Sequence, residues 1–105
     1  MLYRNALELI GNTPLLELNN LKKKYNLKAN IFAKLESYNL TGSIKDRASL
    51  KMILDLEKEN KIKEGYTLIE ATSGNTGIGL ACIGKLRGYK VIIVMPNTMS
   101  KERSI

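Results

Sequence analysis

The sequence predicts at most one domain, of the α/β class and built on a parallel sheet, because strand-like and helix-like segments alternate along most of its 105 residues. Strand-like runs lie at 30–36, 66–71 and 90–95, and helix-like segments at 43–60 and 76–87 separate them. A strand–helix–strand–helix–strand order joins parallel strands through right-handed crossovers. The run at 90–95 (Lys-Val-Ile-Ile-Val-Met) supports this class, since buried parallel strands carry β-branched residues almost continuously.

The first third of the chain predicts only short elements. A helical turn is expected at 7–11, where Gly11 ends it, and a short strand at 14–18. Residues 19–26 form a polar helix or turn that carries a run of lysines. Residues 30–36 (Asn-Ile-Phe-Ala-Lys-Leu-Glu) alternate and include aromatic and branched side chains, as strands do.

A long helix is predicted over 43–60. Ser43 and Asp46 resemble a capping box, in which Ser43 caps the helix and the shorter Asp46 reaches back to the Ser43 backbone. Apolar residues then recur mostly at four-residue spacing and give the helix one apolar face. They are Ile44, Ala48, Met52, Ile53 and Leu56.

The second half of the chain holds the rest of the alternating pattern. The strand at 66–71 is followed by a nearly all-apolar helix at 76–87, which Gly88 stops. The last strand ends at Pro96, and residues 100–103 resemble the start of a further helix.

The net charge of +7 comes mostly from lysine, and a basic chain can indicate binding to nucleic acid. Here the lysines lie mostly on predicted helix surfaces and turns beside acidic residues, as Lys51, Asp55 and Lys58 show. A solvated lysine-rich surface is the better interpretation, so we expect no nucleic-acid partner.

Residue types and apolar patterning exclude several other classes. The chain has no histidine, which removes Ser-His and Cys-His catalysis and argues against a metal site. Cys82 is the single cysteine, and its apolar surroundings at 78–83 predict a packing role. No apolar stretch has the length of a membrane span, and Arg4 and Glu8 interrupt the apolar residues at the start. We therefore expect a cytoplasmic protein with no signal peptide and no membrane association.

Lys45 lies in residues 41–47 (Thr-Gly-Ser-Ile-Lys-Asp-Arg), where an extended stretch gives way to the long helix. An amine at such a junction can form a Schiff base with an aldehyde cofactor. On spacing alone, a solvent-facing lysine at a helix start is the simpler interpretation, and a Schiff-base lysine is the alternative.

A second polar segment, residues 72–77 (Thr-Ser-Gly-Asn-Thr-Gly), also lies between a strand and a helix. Backbone N–H groups at a helix start can hold an anion. Thr72, Ser73 and Thr76 add hydroxyls, and Asn75 adds an amide. A helix cap needs only one such side chain, so this set favours a binding loop over a simple cap.

Several motifs then occur in an order and at separations typical of one family. They are residues 11–15 (Gly-Asn-Thr-Pro-Leu), 42–47 (Gly-Ser-Ile-Lys-Asp-Arg), 70–77 (Glu-Ala-Thr-Ser-Gly-Asn-Thr-Gly), and 95–96 (Met-Pro) followed by 99–103 (Met-Ser-Lys-Glu-Arg). Along nearly the whole chain they resemble the cysteine synthase (O-acetylserine sulfhydrylase) family and its near relative, the cystathionine β-synthase family.

This resemblance implies a pyridoxal 5'-phosphate enzyme of the tryptophan-synthase-β-like fold, a three-layer α/β arrangement of a parallel sheet with flanking helices. By motif position, Lys45 would hold the cofactor through a Schiff base, and Asn75 would hydrogen-bond its ring oxygen. The residues that would grip the carboxylate of the amino-acid substrate are Thr72, Ser73, Gly74 and Thr76. The resemblance implies no metal.

The implied reaction is β-replacement, in which Lys45 removes the α-proton, acetate leaves O-acetylserine, and sulfide adds at the β-carbon to give L-cysteine. The partners would be a small amino acid and sulfide, and the family is usually a homodimer. In this family, residues 1–36 would add strands to a larger domain. Residues 37–105 would form part of a smaller α/β domain that carries the Schiff-base lysine and the substrate loop.

Three departures qualify the resemblance. Leu40 stands where many relatives have proline, and Ser104 where they often have arginine. Nothing in residues 1–105 matches the family's glycine- and threonine-rich loop for the cofactor phosphate, so we expect this chain alone to be inactive or nearly so. The alternatives are a related enzyme such as cystathionine β-synthase or a sulfide-releasing cysteine lyase, a non-catalytic truncated product, and a basic nucleic-acid-binding module.

Overall fold

The computed structural model describes residues 1–72 and 74–96 of the chain. Its helices are α1 (Asn19–Lys24), α2 (Lys45–Lys58) and α3 (Asn75–Leu86), with short 3-10 helices at Ala6–Leu9 and Glu36–Tyr38. The strands are β1 (Leu15–Glu17), β2 (Phe32–Lys34), β3 (Thr67–Ala71) and β4 (Lys90–Val94). The helices and strands predicted within these residues are confirmed, with ends that differ by at most two residues. The helix predicted to begin at residue 100 lies outside the described residues.

β1 and β2 pair antiparallel and form one small sheet, with Leu16 opposite Ala33. A backbone bond from Leu18 N–H to Ile31 O (2.9 Å) continues the pairing beyond the strands. The pattern predicted that the strand at 30–36 joins one parallel sheet with the two later strands, and the described residues do not form that sheet. Alternating side chains identify a strand but not its partner, and the chain through α1 brings β2 back beside β1.

β3 and β4 pair parallel and form the second sheet, with Ile69 opposite Ile92. α3 connects them, so this strand–helix–strand part of the predicted pattern is confirmed. A backbone bond from Thr72 N–H to Val94 O (3.2 Å) extends the pairing just past β3. Thr72 therefore lies at the carboxyl end of a parallel strand, which is where ligands bind in open α/β sheets.

The core lies between α2 and α3. Ile53 of α2 and Ile83 of α3 are almost fully buried, and Leu80 and Tyr89 pack with them. Partly buried apolar side chains from the N-terminal segment, from α2 and the connection after it, and from β3 pack around this cluster. They are Leu7, Ile10, Leu50, Ile62 and Leu68. The core therefore joins the N-terminal segment to the two long helices.

Two glycines allow α3 to approach its neighbours closely. A Cβ added at Gly79 would lie 2.7 Å from Ser49 Oγ and 3.3 Å from Asp46 Oδ1. A Cβ added at Gly84 would lie 2.5 Å from a methyl group of Val91 on β4. α3 therefore packs this closely against both α2 and the parallel sheet because these two positions have no side chain.

Both sheets leave apolar side chains exposed. On the parallel sheet, Ile69 is 65% exposed and its partner Ile92 is 51% exposed. On the antiparallel sheet, Leu15 is 61% exposed and Phe32 is 51% exposed. These side chains lie outside the core between the helices.

Candidate functional site

Lys45 is the first residue of α2, and its side chain is exposed. Its backbone N–H donates a hydrogen bond to Ser43 Oγ at 3.1 Å. The next residue, Asp46, is completely buried. Consecutive side chains on a helix point about 100° apart, so the amine of Lys45 faces outward while its neighbour anchors the start of the helix.

The Asp46 carboxylate holds the loop that precedes α2. It accepts a hydrogen bond from the Thr41 backbone N–H at 2.5 Å and another from the Thr41 hydroxyl. The predicted capping box is therefore wrong in its acidic partner, because the Asp46 carboxylate binds Thr41 and does not reach back to the backbone N–H of Ser43. The Ser43 hydroxyl instead contacts the backbone two residues ahead, as in the local turns that serine favours, and no side chain caps α2.

The loop that leads into α3 places its polar residues around the start of that helix. Gly74 precedes the first helical residue, and within the described part of the loop no side chain caps the helix there. Asn75 is exposed as the first residue of α3, and Thr72 and Thr76 are half-buried. Ser73, a predicted site residue, lies outside the described residues. The described residues therefore place no side-chain cap at this helix start, and the binding role of the loop stays a prediction.

The starts of α2 and α3 lie side by side. Ser49 is completely buried, and its hydroxyl donates to the carbonyl oxygen of Thr76 at 3.4 Å. Ser49 lies one turn beyond Lys45 on α2, and Thr76 follows Asn75 on α3. The predicted amine and the predicted loop therefore belong to one region of the molecule.

Glu36 and Asn39 are candidate functional residues that no sequence pattern marked. The Glu36 carboxylate accepts hydrogen bonds from Arg47 Nε at 2.7 Å and from the Thr13 hydroxyl at 2.5 Å. The hydrogen bond from Arg47, followed by that from Thr13, lowers the pKa of Glu36 from 4.5 to about 2. The contact with Glu36 in turn raises the pKa of Arg47. Such a cluster joins residues far apart in sequence, so periodicity and local motifs do not reveal it.

The described residues give less support to a reactive cysteine or a metal site. Cys82 is half-buried, and its burial, together with the negative charge of Asp46, raises the pKa of its thiol and disfavours the reactive thiolate. In residues 1–72 and 74–96, no three side chains of the metal-binding types cluster to hold an ion. Over the same residues, no helix combines the length and the apolar character that crossing a bilayer requires.

Comparison with known proteins identifies relatives over almost the whole chain. Residues 6–105 match the family described as "Pyridoxal-phosphate dependent enzyme". The chain is 55% identical over 99 residues to a cystathionine beta-synthase from Apis mellifera, covering 94% of this chain and 20% of that protein. It is 52% identical over 103 residues to a cysteine synthase from Flavobacterium sp., covering 98% of this chain and 33% of that protein.

A solved structure is also similar to this chain. The crystal structure of O-ureido-L-serine synthase matches with a TM-score of 0.90 at 39% identity, covering 99% of this chain and 32% of that one. The chain thus spans a fifth to a third of the length of these proteins. The similarity that the ordered motifs indicated is confirmed.

Proposed function

Because the chain belongs to the pyridoxal-phosphate dependent enzyme family, we propose that it serves the formation of L-cysteine from O-acetylserine and sulfide by β-replacement. Its cofactor is pyridoxal phosphate, and its fold is the tryptophan-synthase-β-like fold of that family. The observation that carries the proposal is the contact between Ser49 and Thr76, which places the start of α2, with Lys45, beside the start of α3. Two curated relatives, each 52% identical, carry the names cysteine synthase and probable cysteine synthase.

The residues present fit this cofactor. Pyridoxal phosphate, when bound, supplies an aldehyde that takes up amines and a ring that withdraws electrons from the α-carbon of an amino acid. Lys45 offers an exposed amine, and Asn75 offers an exposed amide at the adjacent helix start. The amine is the group that binds an aldehyde, and the amide N–H can donate to the ring oxygen.

In this proposal the loop before α3 binds the carboxylate of the substrate. Thr72 and Thr76 contribute hydroxyls, and Ser73 has the same role by its motif position. Gly74 borders open space among the described residues, since a Cβ added there would meet none of their atoms within 4 Å, so a carboxylate can approach the backbone. The positive end of the α3 dipole favours an anion at this place.

Lys45 then has a second task as a base. As a free amine, the Lys45 Nζ would take the proton from the α-carbon of the substrate. Asp46 and Ser49 are buried on the same helix turn, so the backbone of α2 stays in place while the lysine side chain moves. Closure of the 72–77 loop on the carboxylate would exclude water from the reaction.

The organisation of the chain follows from the same proposal. Residues 1–36 add strands to the larger domain of a three-layer enzyme, and residues 37–105 form part of its smaller domain, in a cytoplasmic homodimer. The 105 residues by themselves are inactive or nearly so, because they contain no match to the family's loop for the cofactor phosphate.

Borohydride reduction tests the role of Lys45. The 105-residue chain is incubated with pyridoxal phosphate and reduced, and the modified lysines are mapped by peptide mass spectrometry. Lys45 should be modified several-fold more than Lys51, an exposed lysine of the same helix that pairs with Asp55 at 2.7 Å. Lys45→Ala should remove the preferred label and Lys51→Ala should retain it. Labelling spread evenly over both lysines would contradict the assignment.

An activity assay tests the proposed inactivity of the 105 residues. The chain is supplied with pyridoxal phosphate, O-acetylserine and sulfide, and cysteine is measured. We expect none above the cofactor alone. Cysteine formation that disappears in Lys45→Ala would show that these residues suffice.

Cystathionine β-synthase chemistry is the second candidate. It is favoured by the 55% identity to the bee enzyme and 52% identity to the mouse enzyme. In this proposal the loop before α3 binds a carboxylate, a group that both sets of substrates have. An active protein that contains these residues should be given O-acetylserine with sulfide, serine with homocysteine, and cysteine alone. The pair that turns over fastest decides between the two synthases, and sulfide release from cysteine alone indicates a lyase.

A further inference from the structure

The Glu36 carboxylate is the centre of a polar cluster at the N-terminal side of α2. Arg47 binds it through two atoms, Nε at 2.7 Å and Nη2 at 3.0 Å. The Thr13 hydroxyl donates to it at 2.5 Å, and Asn39 Nδ2 donates at 2.8 Å. A two-pronged arginine contact with a carboxylate fixes orientation as well as distance.

Asn39 carries this cluster to the backbone before Lys45. It is 5% exposed, and its Nδ2 also donates to the carbonyl oxygen of Ser43 at 3.1 Å. Its Oδ1 accepts from the Gly11 backbone N–H at 2.7 Å, so one amide joins the N-terminal segment to the loop before α2. A buried amide with each end engaged has little freedom to reorient.

Arg47 holds the backbone on the other side of Lys45. Besides Glu36, its guanidinium donates to the Thr13 hydroxyl at 3.2 Å. It lies against Gly11, where an added Cβ would be 3.3 Å from Nη1 and where the backbone has a φ of +86°. The N-terminal segment is therefore shaped to receive this side chain.

We propose that Glu36, Asn39 and Arg47 form a positioning cluster that fixes the backbone on both sides of Lys45, at Ser43 and at Arg47 itself. A contribution of this cluster to catalysis rests on the function proposed above for Lys45. The fixing of the backbone does not depend on that function. The cluster holds Ser43 and Arg47, two positions before and two positions after Lys45, close to Gly11 and Thr13. The Lys45 side chain itself stays exposed. These three are positioning residues, because Lys45 is the group that touches the cofactor.

Charge at Glu36 suits this role. Its lowered pKa, about 2, keeps the carboxylate ionised at any pH at which such an enzyme works. Apolar residues that pack α2 against the core, such as Ile53, lie further along the helix. The first turn is therefore held by polar contacts. Loss of the cluster should therefore loosen the first turn more than the core.

Hydrogen exchange measured by mass spectrometry on the cofactor-free chain tests the proposal directly. Glu36→Gln keeps the shape of the side chain and removes its charge. Asn39→Asp keeps the acceptor for Gly11 and removes the donor to Ser43. The matched control is Asp55→Asn, which removes the charge from an exposed ion pair of the same helix.

We expect both cluster variants to speed exchange in residues 41–47 by about tenfold, the effect of losing one hydrogen bond to a charged or buried group. Residues 80–86, which contain the buried Ile83, should exchange as in the unaltered chain. The control should leave both peptides unchanged. Equal acceleration in both peptides, or acceleration no greater than in Asp55→Asn, would overturn the proposal.

A second readout separates this inference from the proposed function. Glu36→Gln should lower the rate of borohydride-trapped labelling of Lys45 about tenfold while Asp55→Asn leaves it unchanged. If the unaltered chain shows no preferred label at Lys45 but the exchange result holds, the assigned role of Lys45 fails and the cluster stands. If Lys45 is labelled preferentially and Glu36→Gln changes neither readout, the cluster has no positioning role.

Discussion

A buried carboxylate stands next to an exposed amine at the start of α2. Asp46 is completely inside the protein and binds Thr41 twice, whereas Lys45 faces outward. Burial of a carboxylate requires hydrogen bonds to compensate for the lost water, and both of these come from one residue of the preceding loop. At the residue scale, the candidate site therefore depends on neighbours that never touch a ligand.

Replacing Asp46 by Ala should destabilise the fold. The change leaves the half-buried Thr41 N–H and hydroxyl without their acceptor, so we expect a loss of about 1–3 kcal/mol in the free energy of unfolding. Urea unfolding followed by circular dichroism measures it. Asp55→Ala, which breaks an exposed ion pair on the same helix, should change stability by less than about 1 kcal/mol. Equal losses in the two variants would mean that the Thr41 contacts contribute nothing.

Glu36 should make stability depend on acid pH. Its folded pKa of about 2 lies below the ordinary 4.5, so its contribution is fully present above pH 4.5 and is lost as the pH falls towards 2. The melting temperature of the unaltered chain should exceed that of Glu36→Gln at neutral pH, and the gap should close through this window. A gap that stays constant down to pH 2 would rule out the ionised contact with Arg47 as its cause.

At the scale of elements, α2 and α3 form the frame that carries the two halves of the candidate site. Patterns in the sequence predicted both helices because apolar spacing and stop glycines are local signals. The same patterns placed Lys45 and residues 72–77 at helix starts. They could not find the partner of β2, since alternation is equally compatible with β1 or β3. They also missed the Glu36 cluster, whose members meet only after the N-terminal segment has folded onto α2.

Gly79→Ala should disturb the crossing of these helices. The new methyl group would lie 2.7 Å from Ser49 Oγ, and overpacking of this kind costs about 1–3 kcal/mol. Urea unfolding should show that loss, and labelling of Lys45 should fall because α2 and α3 move apart. Gly74→Ala is the control for stability, since a Cβ there meets no atom of residues 1–72 and 74–96 within 4 Å. If Gly79→Ala is as stable as Gly74→Ala, the crossing tolerates a methyl group and the close approach has no energetic role.

At the scale of the whole molecule, the core and the sheets differ in how well they are covered. Ile53 and Ile83 are sealed between the helices, but Ile69 and Ile92 are more than half exposed. Exposed apolar patches on a protein mark surfaces that bind other groups or promote association. The face of the parallel sheet that carries Ile69 and Ile92 is therefore an exposed apolar surface.

Removing this patch should change how the chain binds a hydrophobic dye. Ile69 and Ile92 are partners in the parallel register, so their side chains lie on one face. The double variant Ile69→Thr and Ile92→Thr should bind less anilinonaphthalene sulfonate and remain monomeric to higher concentration, as measured by fluorescence and light scattering. Lys90→Thr, an exposed polar change in the same strand, should alter neither. Unchanged dye fluorescence in the double variant would locate the exposed apolar surface elsewhere.

The glycine at the helix crossing also determines where motion is allowed. Ser49 is completely buried and Gly79 has no side chain, so the contact between α2 and α3 leaves little room for side-chain rearrangement. Lys45, a few residues away, has a long, exposed side chain with several torsions. On heating, the range of positions of the Lys45 amine should therefore widen, while the distance between the starts of α2 and α3 stays nearly constant.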